Sequence, residues 1–304
     1  VVPATTWIPG SGAWPAEAAR PVVTIGNFDG VHLGHRALVD RSRREGPPVV
    51  AFTFDPAPRD VLRPDNGIPR VQRLEDRVAR LVEAGVDHVV VEPFDVDYAA
   101  RGADWFAEEV LGRRLRAAAI VVGWDFRFGR GRSGTAEGLR AWLGVPVHEV
   151  DPILLDGEPV SSSRIRDAVR HGDVELAARL LGRPHEVVGA VIHGDARGRT
   201  IGFPTANLDV ETALVPAPGV YAARVPVDGL IRDAVVNVGV RPTFGATDPR
   251  FEVHLLGGGR DLYGETLHAG LVAKIRDERK FDDVPALIAA IHDDVTRARE
   301  ILAT

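Results

Sequence analysis

The 304-residue sequence has no cysteine and no methionine, and only two lysines, Lys274 and Lys280. Without thiols there are no disulfide staples, no thiolate nucleophile and no cysteine-based metal centre. With lysine so scarce, nearly all positive charge rests on arginine, and the formal net charge is still -6. A general nucleic-acid binder, which needs a basic face, is not expected. No apolar run approaches the ~20 residues that cross a bilayer, and no basic stretch followed by an apolar one opens the chain. The expectation is a cytoplasmic protein with no membrane partner; self-association is left open. A hydrophobic fraction of 45% with 26% charged residues supports real cores under a polar surface, and the length is comfortable for two domains.

Residues 1–20, rich in Pro and Gly, read as an irregular lead-in. Apolar runs at 21–26, 48–54, 86–92, 118–123 and 145–150 then alternate with helical periodicity at 35–45, 74–84, 104–115 and 135–143. That alternation predicts a parallel, Rossmann-like sheet with ligands at the carboxyl ends of its strands. The helical pattern stops near Leu181-Gly182-Arg183-Pro184. Short β-rich runs at 186–193, 219–225, 231–238 and 251–256 follow, separated by turn residues, which predicts a small antiparallel barrel. A last helix is read over 284–302 from Leu287, Ile288, Ile291, Val295 and Ala298. The expected domains are 1–182 and 183–304.

The chain is organised around Gly26-Asn27-Phe28-Asp29-Gly30-Val31-His32-Leu33-Gly34-His35, between the first long apolar run and the first helix. A glycine-punctuated strand-to-helix turn exposes backbone N–H groups and a helix N-terminus to phosphate. His32 and His35 add imidazoles there, able to donate to phosphate oxygens as charge builds on phosphorus. Polar surface or half a metal site are the plainer readings of such a pair. The metal reading lacks support, since no other His, Asp or Glu cluster has ligand spacing.

The ten-residue string resembles the signature of the HxGH nucleotidyltransferases. Its F-D-G-V-H-x-G-H form resembles the adenylyltransferase half of bifunctional riboflavin kinase/FAD synthetases. Val160-Ser161-Ser162-Ser163-Arg164-Ile165-Arg166 resembles that family's I-S-S-T-x-I-R motif. The resemblance implies that Gly26, Phe28, Asp29, Gly30 and Asp125, with Ser162, Ser163 and Arg166, bind ATP or its phosphates, and that His32 and His35 are catalytic. Two positions depart from the family pattern. Ala57, in Asp55-Pro56-Ala57-Pro58, stands where the family usually has histidine. Asp125, in Gly123-Trp124-Asp125-Phe126, stands at a nucleotide-contacting asparagine, and a carboxylate accepts hydrogen bonds without donating any.

The second candidate site begins with the glycines Gly194, Gly198 and Gly202, whose loop N–H groups can wrap phosphate. It ends in Gly202-Phe203-Pro204-Thr205-Ala206-Asn207, which resembles the riboflavin kinase motif. By that resemblance Thr205 and Asn207 hold ATP phosphate and Mg²⁺, for which oxygen ligands are suited. Glu252 matches the family's proposed general base, and Arg276 an arginine near the flavin; on their own these would read as an outward-facing strand residue and a member of a charge run. Pro218-Gly219-Val220-Tyr221, Asn237-Val238-Gly239 and Asp261-Leu262-Tyr263-Gly264 match further family segments.

The resemblance implies a bifunctional ATP-dependent transferase that makes FMN from riboflavin and FAD from FMN. Ala57 and Asp125 raise the alternative of a riboflavin kinase whose N-terminal domain is structural or regulatory. A flavin carrier without catalysis, and an HxGH enzyme for other nucleotides, are the remaining readings. The complete kinase motif argues against the carrier, and the C-terminal half against the other HxGH enzyme.

Overall fold

A computed structural model describes residues 7–193, 202–212, 214–243, 246–258 and 260–303. By packing they form two compact units, one of Val1–Ile68 with Leu74–Ser161, the other of Pro69–Arg73 with Ser162–Thr304.

The first unit is built on a six-stranded sheet in the order β1-β4-β3-β2-β5-β6, parallel throughout. The strands are β1 (Trp7–Pro9), β2 (Val22–Ile25), β3 (Val49–Asp55), β4 (His88–Pro93), β5 (Ala119–Gly123) and β6 (Val147–Val150). Both faces are covered, so consecutive apolar residues part to opposite sides rather than alternating with polar ones. Val23, Ile25, Val50, Phe52, Ile120 and Val122 point to one core. Val22, Val49, Ala51, Val89, Val91 and Val121 point to the other.

The second face packs on α1 (Leu33–Glu45) and α3 (Leu74–Glu83), through Leu38, Val39, Val78 and Leu81. Between them lies the short α2 (Pro58–Leu62), and α4 (Val96–Ala99) follows β4. On the first face α5 (Ala103–Trp105) runs into a π-helix, Phe106–Arg114, and α6 (Ala136–Leu143) follows β5. The helix read from sequence over 104–115 is thus largely π-wound. Its buried residues Phe106, Ala107, Val110 and Leu111 fall in pairs that the wider i→i+5 winding stacks against the sheet.

A second correction concerns residues 1–20. Trp7–Pro9 is an edge strand paired with β4, Trp7 opposite Val89. Three residues are too few to show a period, and an edge strand tolerates the proline. Because β3 and β4 lie to one side of β2 and β5 to the other, the strand order reverses between β2 and β5. Such a reversal leaves a crevice at the carboxyl ends of the two strands. Gly26 follows β2 there, and Trp124-Asp125 follows β5.

After the small hairpin β7 (Leu154–Leu155) and β8 (Glu158–Pro159), the second unit opens with α7 (Ser162–Arg170) and α8 (Val174–Leu181). Its barrel closes in the order β10-β13-β12-β11-β14-β9. The strands are β9 (His185–Ile192), β10 (Ala206–Val210), β11 (Gly219–Val227), β12 (Leu230–Thr243), β13 (Ala246–Leu255) and β14 (Thr266–Arg276). Sequence patterning predicts four of these six. In β10 only Leu208 is buried, so alternation is too weak to see, and β14 carries small residues at Ala269 and Gly270. Tyr221, Val236, Val238, Phe251 and Val253 fill the interior, together with Val174 of α8. The C-terminal helix α9 (Val284–Leu302), capped by Asp283 accepting from the Ala286 N–H, lies where its periodicity places it. It seals the outer barrel face through Val295, Ala298 and Leu302 against Val220, Ala222 and Val235. Among the described residues no helix is long and apolar enough to cross a membrane.

His185 opens β9 wholly buried, donating from Nε2 to Leu214 O at 3.2 Å. Burial pushes its imidazole down to about 4, against the lesser opposing effect of that bond. The folded barrel therefore prefers neutral His185, and this contribution is complete above the unfolded value near 6.5. It is lost as pH falls from there toward 4, up to about 3 kcal/mol in all. All five tryptophans precede residue 161, so the barrel is followed by circular dichroism. Urea unfolding is expected to show a marked loss of barrel stability from pH 7.5 to 5, and a flatter profile in His185→Gln.

Candidate active sites

In the first unit, Gly26 continues β2 by donating its N–H to Phe52 O at 3.1 Å. The chain then turns sharply, with positive φ at Phe28 (49°), Gly30 (94°) and Val31 (40°). Phe28 and Val31 are driven into the core, which holds the turn in place. Beneath it the buried Arg77 of α3 donates to Asn27 O at 2.9 Å and to Phe54 O at 3.2 Å. Arg59 lies 3.7 Å from Asp29.

His32 is the N-cap of α1. Its Nδ1 accepts the His35 N–H at 3.4 Å, and His35 Nδ1 accepts the His32 N–H at 3.3 Å, a reciprocal capping box. The rings stack with centroids 3.6 Å apart. Because both Nδ1 atoms accept, each neutral ring carries its proton on Nε2. That tautomer sets both ring N–H groups on Nε2, beside a helix N-terminus. Gly34 makes the stack fit: a Cβ there would lie 3.1 Å from His32 Cε1.

Six sequence-predicted residues, Gly26, Phe28, Asp29, Gly30, His32 and His35, are therefore brought together in one turn. Asp125 is exposed in the loop after β5, where Trp124 donates its N–H to Val150 O. Ala57 is buried, at the N-terminus of α2, with no side-chain cap. Ser162, Ser163 and Arg166 fall on α7, in the other packing unit. Arg166 is buried and donates from Nε to Pro69 O at 2.8 Å.

In the second unit, Thr205, Asn207, Glu252 and Arg276 line one cavity of about 330 Å³. Register explains the grouping. Asn207 of β10 stands opposite Glu252 of β13, and Glu252 opposite Asn237 of β12. Phe251 and Val253, on either side of Glu252, point into the barrel, so Glu252 faces outward under α9. Arg276 is not a loose member of a charge run. Its Nε and Nη2 grip Asp294 of α9 at 2.9 and 2.8 Å, and its guanidinium lies 5.6 Å from the Phe281 ring. Gly202 is described with φ 90°, whereas Gly194 and Gly198 lie outside the described residues.

Sequence reading missed three residues here. Asp294 is buried on the apolar stripe of α9 between Ala290 and Ala298, and a carboxylate at i+4 spacing in such a stripe is a signal that it has a partner. Arg250 shares the outward face of β13 with Glu252 and lies 3.0 Å from its Oε1. Asn237 was seen only as part of a motif. Asp294→Ala is expected to cost about 2 kcal/mol, the loss of a charge-assisted pair. It should also raise the KM for the cavity's ligand, read by steady-state kinetics beside a thermal melt.

A parallel sheet with a glycine- and histidine-bearing turn at its reversal point, followed in the chain by a barrel with a carboxylate and hydroxyl-amide cluster, is the arrangement of a two-module phosphorus-transfer enzyme. Comparisons with known proteins agree: the FAD synthetase family model matches residues 15–164 and the riboflavin kinase model residues 181–302. The chain belongs to the bifunctional riboflavin kinase/FMN adenylyltransferase family. It is 39% identical over 292 residues to that enzyme from Escherichia coli strain K12, covering 92% of each chain. It is 35% identical over 297 residues to that of Bacillus subtilis strain 168, covering 93% of this chain and 92% of the other. The crystal structure of a macrolide-efflux protein from Streptococcus pneumoniae superposes with a TM-score of 0.89 at 33% identity, over 97% of this chain and 99% of that one.

Proposed function

We propose that the chain runs both reactions of its family, one in each module, dividing functionally near 182/183. In the barrel the primary ribityl hydroxyl of riboflavin attacks the γ-phosphorus of ATP. The new O–P bond forms as the bond to the ADP oxygen breaks, and Glu252 accepts the hydroxyl proton. The observation that carries this reading is the register that sets Glu252 against Asn207 in one cavity with Thr205 and Arg276. Arg276, fixed by Asp294, positions the flavin, and Gly202 belongs to the phosphate loop, to which Gly194 and Gly198, outside the described residues, are assigned by the family motif alone.

Thr205 and Asn207 offer a hydroxyl and an amide oxygen beside a carboxylate, an all-oxygen set that would suit Mg²⁺. Mg²⁺ held there would supply positive charge to neutralise phosphate. Everything else is the work of the side chains, which orient the two substrates and hold the proton.

In the α/β module a phosphate oxygen of FMN attacks the α-phosphorus of a second ATP, and the bond to pyrophosphate breaks. The Nε2–H groups of His32 and His35 donate to the α-phosphate as its charge grows. Gly26, Phe28, Asp29 and Gly30 shape the phosphate turn; Ser162, Ser163 and Arg166 are assigned to the leaving pyrophosphate by the family motif alone. An ATP-fed chemistry of this kind belongs in the cytoplasm.

The exposed carboxylate of Asp125 favours the alternative of a kinase with an impaired adenylyltransferase module, since it adds negative charge where a nucleotide is expected. Chromatography of riboflavin, FMN and FAD over time, started once from riboflavin and once from FMN, separates the two. FAD appearing from FMN supports the bifunctional reading. FMN accumulating with no FAD from either start replaces it with the kinase alone.

A further inference from the structure

Arg250 reaches both groups on which the barrel chemistry rests. Its Nε lies 3.0 Å from Glu252 Oε1, and its Nε and Nη2 donate to Asn207 Oδ1 at 3.4 and 3.3 Å. The strand pattern makes this contact systematic: Arg250 and Glu252 are two residues apart on one face of β13, and Asn207 stands opposite Glu252. On the other side Arg250 pairs with Gly239, which has no side chain to confine it. The Glu278 carboxylate lies beside Gly239, where a Cβ would come within 2.8 Å of its Oε1.

We propose that Arg250, paired with Glu252, is a resident cation that competes with the divalent metal for Asn207 Oδ1, so that metal uptake and displacement of Arg250 from that oxygen are one coupled event. The inference rests on the assignment of Asn207 as a metal ligand. A guanidinium never gives up its charge at ordinary pH and seeks the same oxygens as a hard cation. Two cations cannot hold one amide oxygen without repulsion, so whichever binds Asn207 Oδ1 excludes the other. Glu278 supplies the acceptor toward which the displaced guanidinium moves. Arg250 is thus a positioning residue: it presents Asn207 and Glu252 in a common orientation and sets how much metal is needed to claim Asn207.

The test uses the full chain and Mn²⁺ alone, with binding read from the electron paramagnetic resonance signal of free Mn²⁺. Asn207→Ala should weaken Mn²⁺ binding, and Arg250→Gln should tighten it about fivefold, the worth of a half-exposed ion pair. The gain should vanish in the double variant. Arg250→Met, which keeps the aliphatic stem, should tighten binding likewise and serves if the glutamine variant unfolds; thermal melts check both. If Asn207→Ala weakens binding while the Arg250 variants leave it unchanged or weaken it, the competition is refuted and the metal assignment stands. If Asn207→Ala has no effect, the metal assignment itself fails and the competition with it.

Discussion

Glu252→Gln is expected to slow riboflavin phosphorylation by about 10²–10⁴-fold, the range for losing a positioned general base. Conversion of FMN to FAD by the same protein should be unchanged. Glutamine keeps the size of the side chain and can still accept from Arg250, so the barrel face is preserved. What is lost is the group that takes the hydroxyl proton. The loss should therefore appear in kcat, with little change in KM for riboflavin. A comparable fall in both reactions would instead mean that the substitution damages the fold.

His35→Ala is expected to show the converse pattern. FAD formation from FMN should fall by about 10²–10³-fold, the cost of one donor aimed at developing charge, while riboflavin phosphorylation is kept. The same change also removes half of the capping box, worth about 1 kcal/mol of helix stability. His35→Gln separates the two roles. Glutamine at this third helical position can still accept the N-cap N–H, so α1 should stay capped. If the imidazole matters for chemistry, the glutamine variant should melt like the parent and remain slow. Recovery of full adenylylation with glutamine would reduce His35 to a cap.

The sequence carried much of this fold, and the reasons are local. The strands of the first unit are continuous apolar runs because both sheet faces are covered, and α9 could be bounded at 284–302 because one stripe of it is apolar. What escaped was set by tertiary contact. Trp7–Pro9 becomes a strand only because β4 offers an edge, and β10 is half-exposed and short of apolar residues. The π winding of Phe106–Arg114 left no mark distinguishable from helical spacing.

The sites divide in the same way. The His32/His35 turn is contiguous in sequence, so its residues could be named together, although the reciprocal Nδ1 bonds that orient the rings could not. Glu252 and Asn207 come from segments 45 positions apart, and only the barrel register sets them face to face. Arg77 and Arg250 read as ordinary surface charges until the elements they serve are packed against them.

If one chain carries two separate sites linked by free FMN, variants that each lose one site should complement each other. Glu252→Gln and His35→Ala proteins, each given riboflavin and ATP with Mg²⁺, should make almost no FAD alone. An equal mixture of the two should make it, because FMN released by the intact barrel of one reaches the intact adenylyltransferase module of the other. A mixture as inactive as its components, or a Glu252→Gln protein that makes FAD from riboflavin unaided, would contradict it.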